Sequence, residues 1–163
     1  MQCTKNIAAV IVSLLVSFSL LSAQTGAPTN QPAPKTPANV VQKKGMDTLV
    51  ILARLTEIPG AFPPNDLYNY VYIMKYRVIK VLKGAYKKQE ILVGHYNPLI
   101  PRCQIKDRMR TLATGDIVKF EKGARQRLVL VTPIERVWKD AVEDEYPDSD
   151  LDKYYALKAE IAR

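Results

Sequence analysis

The sequence predicts a mainly β domain, built as a small five-stranded barrel, that follows an export signal and a proline-rich linker. Three observations support this prediction. An apolar run interrupted only by serines begins the chain, and a stretch rich in proline follows it. The remainder consists of short apolar segments separated by glycine and proline. Residues 46–163 therefore have the size and pattern of one small β domain.

Residues 1–23 have the features of a cleaved secretory signal. Lys5 supplies the positive end, Ile7 to Leu21 form the apolar core, and Ser22-Ala23 offers a small-residue cleavage site. The core holds 15 residues, whereas a membrane-spanning helix needs about 20. We therefore expect cleavage after Ala23 and an exported protein, periplasmic or secreted. A retained membrane anchor is the alternative, and it would be the chain's contact with a membrane.

Residues 24–45 are predicted to be a disordered linker. Pro28, Pro32, Pro34 and Pro37 interrupt a run of Gln, Thr, Asn and Ala. Such a composition buries too little apolar surface to order itself. We expect an extended tether between the processed N-terminus and the domain.

The first three strands of the domain are predicted from apolar segments with β-branched residues. Thr48–Glu57 is apolar enough for a largely buried strand and ends before Pro59-Gly60. Leu67–Leu82 carries apolar side chains on both of its alternating faces, which predicts a long strand that bends around a barrel. Glu90–Tyr96 is the third strand.

The pattern changes after the third strand. Ile105, Met109 and Leu112 recur at helical spacing and predict a short helix that Gly115 ends, with an irregular connection as the alternative. Two more strands are predicted from the apolar residues that follow. These are Ile117–Phe120 and Arg127–Val137.

A C-terminal helix is predicted for the last residues. Ser149 suits the N-cap position. Leu151, Tyr154, Leu157 and Ile161 then form an apolar stripe. We expect this stripe to dock on the barrel.

Three strands, a short helix and two strands is the element order of an OB-fold, a five-stranded Greek-key barrel. Residues 48–137 also resemble the OB-fold of the tissue-inhibitor-of-metalloprotease and netrin-module superfamily. In that superfamily, inhibition depends on a cysteine at the processed N-terminus that chelates the protease zinc, whereas Gln24 takes that place here. The resemblance therefore implies the fold rather than the inhibitory activity. The residues that carry it are Tyr76–Gly84, Ile91–Val93, Cys103 and Gly115-Asp116.

Several kinds of catalytic site are disfavoured by composition. Cleavage would remove Cys3 and leave a mature chain with Cys103, His95 and Ser149 as its cysteine, histidine and serine. These are too few for the usual zinc sites, and Ser149 sits in an acidic stretch unsuited to a serine triad. Cys103 is interpreted as a small buried residue or as part of a disulfide to another chain. A Cys103–His95 nucleophile pair lacks a cysteine-protease signature, so no catalytic residue, metal or cofactor is predicted.

Charge is distributed unevenly along the sequence. Between Lys75 and Arg127 there are 14 basic and 4 acidic residues, a balance of +10. From Asp140 to Arg163 there are 3 basic and 8 acidic residues, a balance of −5. We expect the basic side chains near one barrel edge to attract an anionic partner. The candidate binding residues are Lys83, Lys87, Lys88, Arg102, Lys106, Arg108 and Arg110.

The acidic segment 140–152 suggests a metal site only at first sight. Asp148, Asp150 and Asp152 are spaced like the start of a calcium-binding loop. Lys153 replaces the required glycine and Ala159 the closing glutamate, which excludes an EF-hand and leaves a looser calcium site as an alternative. The favoured interpretation is an acidic segment that pairs with the basic barrel.

The sequence as a whole predicts an exported, non-enzymatic binding module for an envelope protein or an acidic envelope polymer such as an anionic glycan. One alternative is an accessory protein in cell-envelope polysaccharide modification. Another is a hydrolase that uses carboxylates of segment 140–152. Nucleic acid is disfavoured by export. Lysines and tyrosines that serve only solubility and packing are also consistent with the composition.

Overall fold

The structure, a computed structural model, describes residues 47–162. The predicted signal segment and linker lie outside these residues. The described part is mainly β, with short 3₁₀ turns at Arg102–Gln104 and Ile134–Arg136. Across residues 47–162, no helix has the length and apolar character needed to cross a membrane. The strands are β1 (Leu49–Glu57), β2 (Val71–Lys83), β3 (Glu90–Tyr96), β4 (Thr114–Gly115), β5 (Arg125–Val131), β6 (Val142–Glu143) and β7 (Lys153–Ile161).

Five of these strands close into a barrel. β1 pairs antiparallel with both β2 and β5, and β2 pairs antiparallel with β3. β7 closes the sheet because it lies antiparallel to β5 and parallel to β3. The order β1-β2-β3-β7-β5 therefore returns to β1, which is consistent with the predicted OB-like barrel.

The long strand β2 bends between its two partners. Val71–Arg77 pairs with β3, and Lys75–Lys83 pairs with β1 through three register shifts. Such irregularities increase the local twist of a sheet. The first half of β2 is buried on both faces, whereas the outward side chains of its second half are exposed. The bent strand predicted from its two apolar faces is thus observed.

Two apolar layers hold the domain together. One fills the barrel interior and includes Ile51, Tyr76 and Leu128. The other lies outside β2, β3 and β7, where Met109 and Trp138 cover the sheet. The connections around residues 97–113 and 132–146 therefore shield one half of the barrel's outer surface.

The predicted C-terminal helix is wrong, because residues 153–161 form the closing strand β7. A register shift opposite Val129 and Leu130 adds one residue to β7. The inward-facing Ala156 and Ala159 are consequently three positions apart, which imitates helical spacing. Tyr155 packs into the outer layer, so both faces of β7 are apolar and the alternation of a strand is hidden.

The short helix predicted after β3 is also wrong. Residues 105–113 form successive turns in which Asp107 accepts a hydrogen bond from the backbone N–H of Met109 at 2.8 Å. The apolar spacing nevertheless identified buried side chains, since Ile105 and Met109 both join the outer layer. Ile117–Phe120 is not a strand either, although its two end residues pack into the barrel interior.

Replacing Gly115 by alanine is expected to disrupt β7. A Cβ at this position would collide with the Ala159 carbonyl, and the backbone has a φ of +130°. We expect Gly115→Ala to lower the free energy of unfolding by about 3 kcal/mol or more. Gly123→Ala is the matched control because its φ is +91° with open space around it, so it should cost only about 1–2 kcal/mol. Equal losses in urea unfolding would contradict this account.

Candidate functional site

The seven predicted binding cations fall into two groups. Lys83, Lys87 and Lys88 lie at the turn before β3, and the cations of residues 102–110 follow its other end. β3 has seven residues, and a strand of this length spans about 20 Å. The structure therefore does not bring the candidates together at one edge.

The acidic segment pairs with one cation of each group. Lys88 Nζ donates to the Asp150 carbonyl oxygen at 2.5 Å and lies 3.6 Å from Asp152 Oδ2. Arg108 forms an ion pair with Asp140. Exposed ion pairs of this kind contribute less than about 1 kcal/mol each to the stability of the fold, but they neutralise the charges of Lys88 and Arg108. Among residues 47–162, Lys87, Lys106 and Arg110 are exposed and take part in no ion pair. Lys83 is also exposed, and its Nζ donates a hydrogen bond to Thr48 Oγ1 at 3.4 Å.

Arg102 is a structural residue rather than a surface cation. Its side chain is buried, with 4% of the residue exposed. Nη2 donates to the carbonyl oxygens of Asn97 at 2.7 Å and Ile100 at 3.0 Å, and the guanidinium lies over the Phe120 ring. Burial lowers the pKa of Arg102 to about 10, so it stays protonated at neutral pH. Arg102 therefore lies apart from the exposed cations with which the sequence grouped it.

A cavity of about 450 Å³ lies beside Arg108 and Trp138. The Arg108 guanidinium carbon is 5.3 Å from the centroid of the Trp138 ring, within the range of a cation–π contact. Trp138 is buried and donates its indole N–H to the Ala141 carbonyl oxygen at 2.8 Å. The tryptophan thus anchors the start of the acidic segment and presents no open stacking surface.

A polar cluster is buried at the end of the barrel interior. The Tyr76 hydroxyl donates to Gln126 Oε1 at 3.0 Å and lies 2.9 Å from His95 Nε2. The His95 ring packs on Phe120 with 4.5 Å between ring centroids. Burial, together with the nearby Arg102 charge, holds the pKa of His95 well below its usual value of 6.5. Burial raises the pKa of Tyr76. Both groups are therefore uncharged at neutral pH.

His95 and Cys103 differ in burial. His95 is engaged inside the barrel, whereas Cys103 is exposed on the 3₁₀ turn after β3. The interpretation of Cys103 as a small buried residue is therefore wrong. The two side chains occupy different environments, and a nucleophile and its base must share one.

Two carboxylates line a second cavity, of about 430 Å³. Asp144 belongs to the acidic segment, and Glu135 comes from the 3₁₀ turn before it, a residue that the sequence did not single out. Lys153 forms an ion pair with Asp144 and donates to the Tyr146 carbonyl oxygen at 2.9 Å. In the part of the chain that the structure describes, no group of three or more His, Cys, Asp or Glu residues is placed to hold a metal ion.

A set of cations that the sequence analysis missed lies on the outer surface of β5, β1 and β2. All of them are exposed and point away from the barrel interior. The signal was present as basic residues at outward positions of predicted strands, but their proximity depends on which strands pair. These residues are Arg54, Arg77, Lys80, Arg125 and Arg127.

Comparisons with protein-family models, curated proteins and solved structures found no match for this chain. Because the interior is filled, any ligand would have to bind outside the barrel, where the exposed cations lie.

His95 should make the domain sensitive to mild acid. It is the one histidine of the chain, and its pKa is lower in the folded state than the 6.5 of the unfolded chain. Below pH 6.5 the unfolded state therefore binds more protons, and stability should fall by up to about 1.4 kcal/mol per pH unit. Urea unfolding between pH 7.5 and 5 measures this slope. Glu57 and Glu160, with pKa values lowered from 4.5, act only at lower pH.

The His95→Gln variant is the control for this titration. It should be less stable than the parent at pH 7.5 but lose little further stability down to pH 5. A parent protein whose stability is constant over this interval would show that His95 is not buried as a neutral ring.

Arg102 and Arg110 should respond differently to the same substitution. Arg102→Gln removes donors from two buried carbonyl groups, so it should lower the free energy of unfolding by about 2–4 kcal/mol. Arg110→Gln, at an exposed position in the same segment, should stay within about 0.5 kcal/mol of the parent. Thermal or urea unfolding of the two variants makes the comparison, and similar values would contradict the structural role of Arg102.

Proposed function

We propose that this chain is an exported, non-enzymatic binding module with an OB-like barrel, and that it binds an acidic envelope polymer or a protein partner. The observation that supports this function best is the surplus of exposed cations on β1, β2 and β5. The acids of segment 140–152 pair with Lys88, Arg108 and Lys153. They do not reach the outer surface of β5, β1 and β2, where Glu160 pairs with Arg127 but Arg54, Arg77 and Arg125 form no ion pair with any of residues 47–162.

The barrel interior favours a ligand on the outside. Tyr76, Met74 and Leu128 are fully buried and fill the space between the strands. Small barrels packed in this way have no room for an internal ligand. A positively charged exterior instead attracts extended anions by long-range electrostatics.

Export and family relationship belong to the same proposal. The apolar segment at residues 7–21 supports export. The pattern from Tyr76 to Gly84 and the closed barrel support a relationship to the tissue-inhibitor-of-metalloprotease and netrin-module superfamily. Gln24 in place of the chelating cysteine supports a binding role that differs from zinc-protease inhibition.

An accessory role in polysaccharide modification is compatible with the same surface, since such a protein would hold the polymer for an enzyme. A hydrolase is a separate candidate, and the placement of Glu135 and Asp144 on one cavity is the observation that favours it. The Lys153 ammonium group forms an ion pair with Asp144, however, and this pairing suits a carboxylate that holds the acidic segment in place better than a catalytic one.

Polymer binding is expected to be strongly salt-dependent. The purified protein should bind alginate and heparin in isothermal titration calorimetry, and the affinity should fall steeply between about 50 and 200 mM salt because counterions are released on binding. Neutral dextran is the control polymer and should not bind. Absence of binding to both polyanions at low salt would reject the polymer and favour a protein partner.

The hydrolase candidate makes an opposing prediction. If the chain only binds, Glu135→Gln and Asp144→Asn should leave alginate and heparin affinity within about twofold, because their cavity lies beside Ile73 under the outer apolar layer and not among the exposed cations. The size distribution of each polymer, followed by chromatography after long incubation, should not change. Depolymerisation by the parent that is lost in Glu135→Gln would establish the hydrolase instead.

A further inference from the structure

The outward cations of β5, β1 and β2 are arranged in register. Arg54 of β1 lies directly opposite Arg125 of β5 and Arg77 of β2. Two residues along β1, Leu52 lies opposite Arg127 and Lys80. One further step places Lys83 opposite Val50. We call this surface the arginine face and define it as Arg54, Arg77, Lys80, Lys83, Arg125 and Arg127.

The central row of the arginine face opposes folding. Like charges that lie directly opposite each other on neighbouring strands are destabilising. Arg54 has an arginine on each side, and neither it nor Arg77 nor Arg125 forms an ion pair with any of residues 47–162. An acidic residue at position 54 would be the better choice for stability alone. This arrangement is the expected one if an anion occupies the row.

The arginine face is open, unlike the other half of the barrel. No connection covers it within the described part of the chain, because the outer apolar layer lies over β2, β3 and β7. Aliphatic side chains are interspersed with the cations, and Ile79 and Leu82 are about half exposed. Leu52 and Leu82 also line a cavity of about 420 Å³ that extends to Arg127. The surface thus combines charge with apolar contact area.

Acidic residues border the arginine face on both sides. Glu160 of β7 lies opposite Arg127 and forms an ion pair with it at 2.9 Å. Glu90 of β3 lies opposite Arg77. The face is therefore three strands wide, with about 10 Å between the axes of β5 and β2. An extended anion is repelled at both borders and is guided along the strand direction.

We propose that the arginine face binds a linear acidic polysaccharide that lies along β1. This inference rests on the proposed function and assigns it a location and a ligand chemistry. The planar guanidinium groups suit bidentate contacts with carboxylates. Successive rows are separated by about 7 Å along the strands, which allows several acidic groups of one chain to be engaged. Leu52, Ile79 and Leu82 provide contact for the carbon faces of sugar rings.

Two other polyanions fit this surface less well. Single-stranded nucleic acid is normally held by aromatic side chains on which the bases stack, and the outward positions of the face carry no aromatic residue among those described. An anionic membrane is usually bound by an amphipathic helix or an anchoring segment, whereas Ile79 and Leu82 lie within the body of β2. The polysaccharide is therefore the favoured occupant.

The decisive variant is Arg54→Glu, because it is expected to weaken polymer binding and to stabilise the fold. An acid between Arg125 and Arg77 removes the like-charge contacts, so the melting temperature should rise. Alginate affinity at low salt should fall at least about tenfold, and the salt dependence should become shallower, by about two in its logarithmic slope. Arg136→Glu is the control, since Arg136 is exposed on the opposite covered side. It makes the same charge change and should alter affinity no more than about twofold.

A second variant protects the test against an unforeseen folding defect. The double substitution Arg77→Gln with Arg125→Gln removes the flanking charges and keeps Arg54. It should also bind alginate at least about tenfold more weakly while its melting temperature does not fall. Normal alginate binding by this folded double variant would overturn the assignment.

The remaining outcomes separate the location from the function. Equal loss of affinity in Arg54→Glu and Arg136→Glu would reject the arginine face but leave polymer binding intact. Failure of the parent protein to bind alginate and heparin would reject the proposed polymer function itself. Tighter binding to single-stranded DNA or to phosphatidylserine vesicles than to alginate, lost in Arg54→Glu, would overturn the polysaccharide as the ligand.

Discussion

The pairing of β7 with both β3 and β5 is the interaction on which the rest of the structure depends. Without it the sheet would be open, with unpaired edges at β3 and β5. The β7 backbone at Ala159 also lies so close to Gly115 that a side chain at position 115 has no room. Asp116 accepts a hydrogen bond from the backbone N–H of Ile161 at 2.7 Å. Closure fills the interior with side chains. A barrel filled in this way has no room for an internal ligand.

The sequence predicted the strands whose apolar pattern is simple. The bounds of β3 were correct and those of β1 nearly so, because each is a short apolar run that ends at a turn signal. β7 was mistaken for a helix because Leu151, Tyr154, Leu157 and Ile161 recur at helical spacing, whereas Tyr154 packs against the barrel interior and Leu157 against the outer layer. The turns after β3 were mistaken for a helix for a related reason. The spacing of the apolar residues here reflects the burial of Ile105 and Met109 and not the hydrogen bonding of a helix.

The proposed binding surface could be predicted from the sequence only as an excess of charge. Arg102 and Arg108 look equivalent in the sequence, yet Arg102 binds buried carbonyl groups and Arg108 lies at the surface. Arg54, in contrast, is far in sequence from both of its arginine neighbours, Arg77 and Arg125. Strand register decides which outward side chains meet, and it is a property of the closed barrel. Local sequence patterns therefore could not show that cations of three different strands lie side by side.

The placement of the acidic residues explains why one half of the barrel keeps its charge. Segment 140–152 belongs to the connection that covers β2, β3 and β7, so its carboxylates reach Lys88, Arg108 and Lys153. The same connection meets β1 at its last residue, where Tyr146 lies beside Glu57, and Glu160 of β7 pairs with Arg127 and Lys158. Screening by salt weakens exposed repulsion but does not abolish it at strand spacing. The cross-strand row of Arg125, Arg54 and Arg77 is thus a repulsion that the fold tolerates, and a bound polyanion would convert it into attraction.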